Sequence, residues 1–548
     1  MKCSLVTERY GYDMELGIQG IKDFVWWEDK GYKLPAFDIE QVKKQTMETP
    51  EWIHFGGGNI FRAFPAAVCQ ELLNQGIMKT GIIVAEGYDY EIIENGFDKY
   101  DNLSILVTLM ADGTLDKKVI GSITEALCMD SNHTKDWSRL KEIFKSKSLK
   151  MVSFTITEKG YSLCNNNKVY FNDVLADFEN GPRNVTSYMG KLAGLCFERF
   201  SNGAYPLTMV SMDNCTHNGE KLKKAVTEIA STWYEKGKVT EEFLHYVNNS
   251  IAFPCTMIDK ITPRPSDSVM EMLNKDEIAE LTPFVTKKNT FIAPYVNAEK
   301  PQYLIIEDNF KTDKLPLDKG GIIYTQRETV DKVERMKVTT CLNPLHTALA
   351  IFGCLLSFDK ISDEMNDDLL RTLVERIGYQ EGLVVVTNPG IIDPETFLQE
   401  VLEVRLPNPF MPDTPERIAC DTSQKLSIRF GETIKSYEAS NTLETADLVY
   451  IPLVLAGWCR YLMGINDKGV RFDISPDPMA EELKEVFSSI SIGQSIDVSS
   501  VLGNVLNRVD IFDVNLYEVG LGKKIEGYFA EMIQNVGAVY STLKKYID

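Results

Sequence analysis

The 548-residue sequence has no basic excess, no cysteine-pair motif and no internal repeat. Its formal net charge of −21 argues against nucleic acid as a partner, because nucleic-acid binding needs a basic surface. Its 11 cysteines are scattered, as in proteins of a reducing compartment, so we expect a cytoplasmic location. No run approaches the roughly 18 apolar residues that span a bilayer, and the first residues lack a secretory signal pattern. We therefore expect no membrane partner.

Short apolar runs alternate with helical patterns in the first part of the chain, after an N-terminal extension of about fifty residues. Residues 59–75 carry apolar side chains at helical spacing and predict one helix. Strands that alternate with helices favour a mainly parallel sheet with helices on both faces. Buried strands are predicted at 51–55, 81–85, 104–110, 150–157 and 205–212.

Long helical patterns dominate the rest of the chain, which changes character after residue 326. We therefore predict an α/β domain over residues 1–326 and a mostly α-helical C-terminal domain over residues 327–548. Helices are predicted at 330–358, 367–378, 394–404, 443–463, 479–489 and 521–547.

A glycine-rich turn, GGGNIFR, stands where the first predicted strand passes into a helix. Gly56 and Gly58 fill the two places at which a dinucleotide-binding turn needs a tight bend and a close pyrophosphate, while Phe61 stands where a third glycine is usual. A merely structural turn would have the same sequence. Glu86 ends the next strand and can accept hydrogen bonds from both ribose hydroxyls, which favours NAD over NADP; Asp89 is an alternative acceptor.

Polar clusters follow two later predicted strands, where α/β sheets bind ligands. One is Thr157-Glu158-Lys159-Gly160-Tyr161, and the other is the segment 212–219, which contains Asn214. Turn chemistry alone would explain some of these residues. We nevertheless predict that Glu158 and Lys159 contribute to the cofactor site, together with Asn59 and Ile60 after the glycine turn.

The segment KVTTCLNPLH combines residues suited to alcohol oxidation without a metal. Lys337 can serve as the base, Asn343 can donate its amide N–H to an alkoxide, and His346 can orient the substrate. The structural alternative is a surface lysine and a core histidine. Asn343-Pro344 also predicts a helix start, with Asn343 as the N-cap and Pro344 at the first helical position.

A metal site is not indicated by the histidine pattern. The sequence has five histidines, without an HExxH motif or ligand-like pairing with Cys or Asp. We expect metal-independent chemistry.

Six separated segments resemble the mannitol dehydrogenase family of long-chain polyol dehydrogenases, in the same order along the chain. The resemblance implies a Rossmann-type NAD domain followed by a helical domain, and no metal. The segments are HFGGGNIFRAF (54–64), FTITEKGY (154–161), MDNCTHNG (212–219), FPCTMIDKITP (253–263), MKVTTCLNPLHTALA (336–350) and LAGWCRYLMGINDKG (455–469).

The resemblance also implies roles for individual residues. Lys337 would be the general acid/base, and Asn214 and Asn343 would be the amides that stabilise the alkoxide. His346 and Asp259 would contact the substrate. Five residues separate Lys337 from Asn343 where the family has four, and a bulge before Pro344 would absorb the extra residue.

The substrate class depends on whether a cationic group is available for a carboxylate. Arg417, Lys425 and Arg429 supply cations, and the first two match positions that the family uses for substrate contacts. The motifs are most similar to the fructuronate reductase branch, so the expected reaction is NAD-dependent interconversion of D-fructuronate and D-mannonate. The alternatives are mannitol 2-dehydrogenase, tagaturonate reductase, an NAD-retaining sugar-acid epimerase and, more remotely, an NAD-binding regulatory protein. We expect a monomer or a homodimer.

Overall fold

The structure is a computed structural model that describes residues 14–264, 267–488 and 490–547. It contains two compact units. The N-terminal unit comprises Met1–Met110 and Thr114–Val330, and the C-terminal unit comprises Ala111–Gly113 and Asp331–Asp548.

The described strands all lie in the N-terminal unit. They are β1 (Tyr32–Lys33), β2 (Trp52–Phe55), β3 (Ile82–Glu86), β4 (Ser104–Leu109), β5 (Leu115–Ile120), β6 (Ile123–Cys128), β7 (Met151–Phe154), β8 (Leu207–Ser211), β9 (Ile251–Ala252), β10 (Thr256–Asp259), β11 (Phe284–Val285), β12 (Phe291–Ile292), β13 (Tyr295–Glu299), β14 (Tyr303–Glu307) and β15 (Ile323–Thr325).

Six of these strands form a parallel sheet in the order β6-β3-β2-β7-β8-β9. Counted along the chain within this sheet, the order is 3-2-1-4-5-6, that of the doubly wound dinucleotide-binding fold. The predicted α/β class with a Rossmann-type parallel sheet is thereby confirmed.

The central strands are apolar on both faces because both faces are covered. Every residue of β2, β3, β7 and β8 is buried. Alternate residues of β2 enter different cores: Ile53 and Phe55 pack in one cluster and Trp52 in the other. The sheet is therefore a rigid layer from which the loops at its carboxyl edge extend.

The strand predicted at 104–110 lies outside this parallel sheet. β4 pairs antiparallel with β5 and parallel with β13, within a four-stranded sheet of order β1-β5-β4-β13. The N-terminal extension joins the same sheet through β1, and Tyr32 donates a hydrogen bond to Asp276 at 2.8 Å. Two smaller sheets have the orders β10-β14-β15 and β11-β12.

The single helix predicted over 59–75 is wrong, because it is broken at Phe64. Pro65 has no N–H and disfavours helical backbone in the residue before it, and Phe64 has φ −126° and ψ −72°. The helices of this unit are α1 (Phe24–Asp29), α2 (Ile39–Glu48), α3 (Asn59–Ala63), α4 (Pro65–Asn74), α5 (Glu91–Gly96), α6 (Thr134–Lys145), α7 (Thr157–Gly160), α8 (Asn172–Asn180), α9 (Tyr188–Ser201), α10 (Asn218–Glu235), α11 (Glu241–Asn249) and α12 (Asp267–Asn274).

The helix α13 begins at Arg327, just before the boundary between the two units at Val330. The C-terminal unit is mostly helical, as predicted. Its helices are α13 (Arg327–Met336), α14 (Asn343–Leu356), α15 (Ile361–Glu364), α16 (Asp368–Arg376), α17 (Pro394–Glu400), α18 (Pro415–Ile418), α19 (Glu432–Glu438), α20 (Tyr450–Tyr461), α21 (Ala480–Phe487), α22 (Val498–Leu506), α23 (Val509–Phe512), α24 (Gly522–Met532) and α25 (Ala538–Ile547). Wider π turns occupy Lys337–Cys341, Ile377–Gly382, Val401–Arg405 and Ser427–Gly431.

The predicted helices of this unit are all shorter in the structure or divided, and three of them show why. The pattern over 330–358 is interrupted by the π turn Lys337–Cys341, and the pattern over 521–547 is divided before Gly537, which has φ +82°. The pattern over 443–463 becomes helical at α20, where the Glu381 carboxylate accepts three consecutive backbone N–H groups, those of Val449, Tyr450 and Ile451.

One helical run among the described residues, Arg327–Leu356, is long and apolar enough to cross a membrane by length and composition. The most apolar stretch of this run has a mean hydropathy of 1.4, and 83% of that stretch is buried within the protein. A helix that packs in a protein core has the same composition, so burial accounts for the apolar character of this run.

Candidate active site

The six-stranded sheet reverses its strand order between β2 and β7, and open α/β sheets bind ligands at this point. Gly56 follows β2 and Thr155 follows β7, so the two loops meet at the carboxyl edge of the sheet. A cavity of about 540 Å³ opens there. Its lining includes Gly56 and Gly58 from the first loop and residues 155–157 from the second.

The three glycines of the GGG turn have different surroundings. Gly56 has φ +107°, and a Cβ at this position would lie 2.3 Å from the Thr155 carbonyl oxygen. At Gly57 a Cβ would lie 2.9 Å from the Phe97 ring. At Gly58 it would meet nothing within 4 Å, so the backbone at the cavity is open to close approach by a ligand.

Phe61, at the place of the usual third glycine, is fully buried and stacks on the His54 ring at 4.3 Å. The two ring nitrogens of His54 are hydrogen-bonded to the hydroxyls of Ser153 and Thr155, at 2.7 and 2.8 Å. Burial lowers the pKa of His54 to about 3, so its ring is neutral at physiological pH. A neutral stacked pair thus supports the turn where other dinucleotide folds have only a glycine contact.

Glu86 connects the end of β3 to the glycine turn. One carboxylate oxygen accepts the Gly57 N–H at 2.9 Å, and the other accepts the Tyr88 N–H at 2.8 Å. The side chain lines the cavity. Asp89, the alternative ribose acceptor, does not line the cavity, and its carboxylate accepts a hydrogen bond from the Thr286 hydroxyl at 2.6 Å.

Of the other four predicted cofactor residues, one lines the cavity. Lys159 lines the cavity, whereas Asn59, Ile60 and Glu158 do not. The Asn59 side-chain oxygen accepts a hydrogen bond from the buried Arg62 at 2.9 Å, and Ile60 packs against the apolar core. Glu158 forms an exposed ion pair with Lys221.

Asn214 and Asp259 lie in the same unit, in different environments. Asn214 is exposed in the loop after β8, where it directly follows the buried Asp213. Asp259 is the last residue of β10 and is 4% exposed, opposite Tyr303 on β14.

In the C-terminal unit, Lys337 is the first residue of a π turn. The Leu342 N–H donates to the Lys337 carbonyl oxygen at 3.1 Å, which is the i to i+5 hydrogen bond of such a turn. A π turn contains one residue more than an α turn, so it is a bulge of the kind expected between Lys337 and Pro344. Lys337 is 7% exposed and is therefore not a solvated surface lysine.

Asn343 is the first residue of α14, so its predicted role as N-cap is wrong. Leu342 is the N-cap because its carbonyl oxygen accepts the His346 N–H at 3.1 Å, and Pro344 consequently stands at the second helical position. Leu342 has no side chain that could cap the helix by a hydrogen bond. The half-buried amide of Asn343, three residues before His346, faces the same side of the helix as that ring.

His346 lies in a cationic cluster, which we define as Arg405, Arg417, Lys425 and Arg429. Burial, and then these four cations, lower the pKa of His346 to about 3, so the imidazole is neutral at physiological pH. Its Nε2 lies 3.4 Å from an Asp413 oxygen without forming a hydrogen bond, and it is buried without a partner.

Two members of the cationic cluster have no carboxylate partner within the described ranges. Arg429 donates to the Thr347 hydroxyl, and Lys425 donates to the Cys420 carbonyl oxygen. Burial lowers the pKa of Arg429 to about 10, and burial together with Arg429 lowers that of Lys425. Arg417 differs, since it is paired with Asp413. Asp421 and Asp477 act on Lys425 only at a distance, and half-buried cations without a direct ion pair favour an anionic ligand.

Within residues 14–264, 267–488 and 490–547, no group of three or more His, Cys, Asp or Glu side chains is arranged to hold a metal ion. Metal-independent chemistry stays a prediction.

Comparison with known proteins agrees with this geometry. Residues 50–319 match the mannitol dehydrogenase Rossmann domain, and residues 329–529 match the mannitol dehydrogenase C-terminal domain. The chain belongs to the mannitol dehydrogenase family. The expected family membership is therefore confirmed, and the protein is an oxidoreductase of the kind that acts on secondary alcohols.

Relatives within the mannitol dehydrogenase family cover nearly the whole chain. The D-mannonate oxidoreductase of Thermotoga maritima is 51% identical over 536 residues, 97% of this chain and 99% of that protein. The mannitol 2-dehydrogenase of Pyrenophora tritici-repentis is 27% identical over 487 residues, 87% of this chain and 80% of that protein.

Two solved structures share the fold. A substrate-free D-sorbitol dehydrogenase has a TM-score of 0.76 at 23% identity, over 93% of this chain and 97% of its own. A ternary complex of Pseudomonas fluorescens mannitol 2-dehydrogenase with NAD and D-mannitol has a TM-score of 0.66 at 24% identity, over 97% and 99%.

Sequence reasoning missed two residues near these sites and the role of a third. Arg405 belongs to the cationic cluster, and Asp413 pairs with Arg417. Asp213 lies in the predicted polar segment 212–219, but its contact with the loop after β7 was not predicted. The four-residue spacing of Asp413 and Arg417 was a usable signal for an ion pair. Arg405 and Asp213 act on residues distant in sequence, and no local pattern indicates such contacts.

We predict that alanine at the two outer glycines of the turn has different effects, on stability at position 56 and on binding at position 58. Gly56→Ala should lower the free energy of unfolding by roughly 1–3 kcal/mol, because it places a Cβ against backbone in a left-handed conformation. Gly58→Ala should keep the melting temperature and weaken dinucleotide binding, since its Cβ enters the cavity. Melting curves and NADH fluorescence titrations measure both effects. Equal loss of stability in the two variants would contradict this reading of the turn.

Proposed function

We propose that the protein is an NAD-dependent oxidoreductase that interconverts D-fructuronate and D-mannonate by hydride transfer at a secondary alcohol. The observation that carries this proposal is the 51% identity, over 97% of the chain, to a protein named D-mannonate oxidoreductase. The more distant mannitol 2-dehydrogenases are 27% identical or less.

The cavity at the switch point fits NAD. Gly58 leaves the backbone open for the pyrophosphate, and Glu86 offers a carboxylate to the ribose hydroxyls while repelling a 2′-phosphate. Glu86 Oε1 accepts the N–H groups of Tyr88 and Asp89, whereas Oε2 accepts only the Gly57 N–H and keeps one acceptor site for a ribose hydroxyl. Lys159 lines the same cavity. We also retain Gly56, Asn59, Ile60 and Glu158 as proposed cofactor residues.

When bound, NADH supplies the hydride, and the residues of this chain supply the proton and the polar environment. In the reduction direction, Lys337 donates a proton to the ketone oxygen, and in oxidation it accepts the proton from the alcohol. The amides of Asn343 and Asn214 donate hydrogen bonds to that oxygen as it becomes an alkoxide. Burial of Lys337 and the half-buried position of Asn343 at the start of α14 support these roles.

The cationic cluster supports a sugar acid as substrate. Arg417 and Lys425 are the proposed substrate contacts, and the unpaired Lys425 and Arg429 offer the charge that a carboxylate requires. His346 is neutral among these cations. It can therefore donate a hydrogen bond to a substrate hydroxyl, or accept one from it, without changing its charge. Asp259 is the remaining proposed substrate contact.

We further propose that residues 1–326 bind NAD and that residues 327–548 supply the general acid/base and the substrate clamp. The scattered cysteines support a cytoplasmic enzyme. We propose that it acts as a monomer or a homodimer on a small-molecule substrate, with no membrane or nucleic-acid partner.

NADH oxidation by the purified protein, measured separately with fructuronate, tagaturonate and fructose, tests this function. Turnover with fructuronate and not with fructose is the expected result. Turnover with fructose alone would instead identify the activity as that of a mannitol 2-dehydrogenase. No turnover with any of the three, in a protein purified with NAD bound, would favour an epimerase.

Lys337→Ala should lower kcat by roughly 10²–10⁴-fold and leave NADH affinity nearly unchanged, because it removes the proton donor and no proposed cofactor contact. Steady-state kinetics and NADH titration measure the two effects. Lys332→Ala, in the preceding helix α13, is the matched control and should retain activity. Near-normal turnover of Lys337→Ala would refute the assigned role.

Glu86→Ala should weaken NAD binding more than NADP binding, since it removes the ribose acceptor together with the repulsion of a 2′-phosphate. KM for each cofactor measures the change. Glu91→Ala, at a nearby carboxylate that pairs with Lys287, is the control and should change neither. Equal losses for the two cofactors in Glu86→Ala would contradict the ribose assignment.

A further inference from the structure

The loop after β7 has an unfavourable backbone conformation. Thr157 has φ +64°, in the left-handed region, which β-branched residues rarely adopt. Thr157 lines the cavity at the switch point, together with Thr155 and Ile156. A strained residue in a ligand cavity persists only when its surroundings hold it in place.

Asp213 provides that hold from the loop after β8. Its Oδ1 accepts the Thr157 N–H at 2.8 Å, and its Oδ2 accepts the Ile156 N–H at 3.0 Å. The Tyr161 hydroxyl donates to the same Oδ2 at 2.5 Å and contacts the Ser211 hydroxyl at 2.8 Å. Asp213 is 8% exposed, so these contacts are largely shielded from water.

A carboxylate is the side chain suited to this place because three donors converge on it. An ionised aspartate has only acceptor sites, whereas an asparagine would direct its own NH₂ group at one of the donors. Such a substitution would leave a buried N–H without an acceptor in a group of nearly the same shape.

The loop that Asp213 holds also supports the glycine turn. The Thr155 hydroxyl contacts His54, and the Thr155 carbonyl oxygen is the atom against which a side chain at position 56 would collide. Displacement of residues 155–157 therefore changes two walls of the cavity together. Asp213 also directly precedes Asn214, one of the proposed alkoxide donors.

We propose that Asp213 is a positioning residue that fixes Ile156 and Thr157 in the conformation that the dinucleotide requires. The proposal rests on the proposed NAD function of the cavity. Asp213 does not contact the cofactor in this account; it acts through the backbone of residues 156 and 157.

Asp213→Asn should raise the Kd for NADH by roughly tenfold or more, as expected for the loss of hydrogen bonds to a charged group, and should also lower kcat. Thr157→Gly removes the β-branched side chain and its cost in the left-handed region, so residue 157 can adopt this conformation without the hold of Asp213. In the double variant Asp213→Asn/Thr157→Gly, most of the lost NADH affinity should return. NADH fluorescence titration, melting temperature and kcat are measured for all four proteins.

Asp136→Asn is the matched control, because Asp136 is a buried carboxylate of the same unit that accepts the Cys128 N–H at 2.9 Å outside the cavity. It should lower the melting temperature and leave the Kd for NADH unchanged. An unchanged Kd in Asp213→Asn, or a double variant as weak as Asp213→Asn, would overturn the proposal. Failure of the wild type to bind NADH would instead reject the proposed function of the cavity.

Tyr161→Phe replaces Asp213→Asn should the latter not fold. It removes one donor to the carboxylate and leaves the two backbone N–H groups in place. The Kd for NADH should then rise above that of the wild type, and Thr157→Gly should again reduce the loss. A rise that Thr157→Gly does not reduce would contradict the proposal.

Discussion

The loops at the carboxyl edge of the six-stranded sheet depend on buried carboxylates that accept backbone N–H groups. Glu86 holds the glycine turn through Gly57, and Asp213 holds the loop after β7 through Thr157. Neither loop can satisfy these N–H groups within the sheet, because each lies beyond the end of its strand. The cavity between the two loops therefore takes its shape from two side chains, one at the end of β3 and one in the loop after β8.

The C-terminal unit creates a local charge environment opposite to that of the whole chain. The protein carries a net charge of −21, yet four cations surround the neutral ring of His346. Salt screens the field of charges that lie farther away than about 10 Å, so the cluster can attract a carboxylate despite the overall negative charge. The π turn that begins at Lys337 places a buried lysine in the same unit. A sugar acid is the substrate class that such an arrangement suits best.

Sequence patterns predicted the layered α/β unit, the glycine turn and the helical unit, because apolar periodicity and turn chemistry are local. Helix interruptions were missed where one residue changed the backbone, as at Pro65. The wide turn at Lys337 has no periodic signature of its own, and only the spacing to Asn343 indicated an extra residue. The environment of Asp213 was not predictable, since its partners are more than fifty residues away in the chain.

A crystal structure of the protein with NADH would test the central claim, that the switch-point cavity holds the dinucleotide. The account predicts the pyrophosphate against the backbone of Gly58 and a ribose at Glu86, with Thr157 still left-handed and bonded to Asp213. A dinucleotide bound elsewhere, or one bound in this cavity with the bonds of Asp213 to residues 156 and 157 broken, would contradict it.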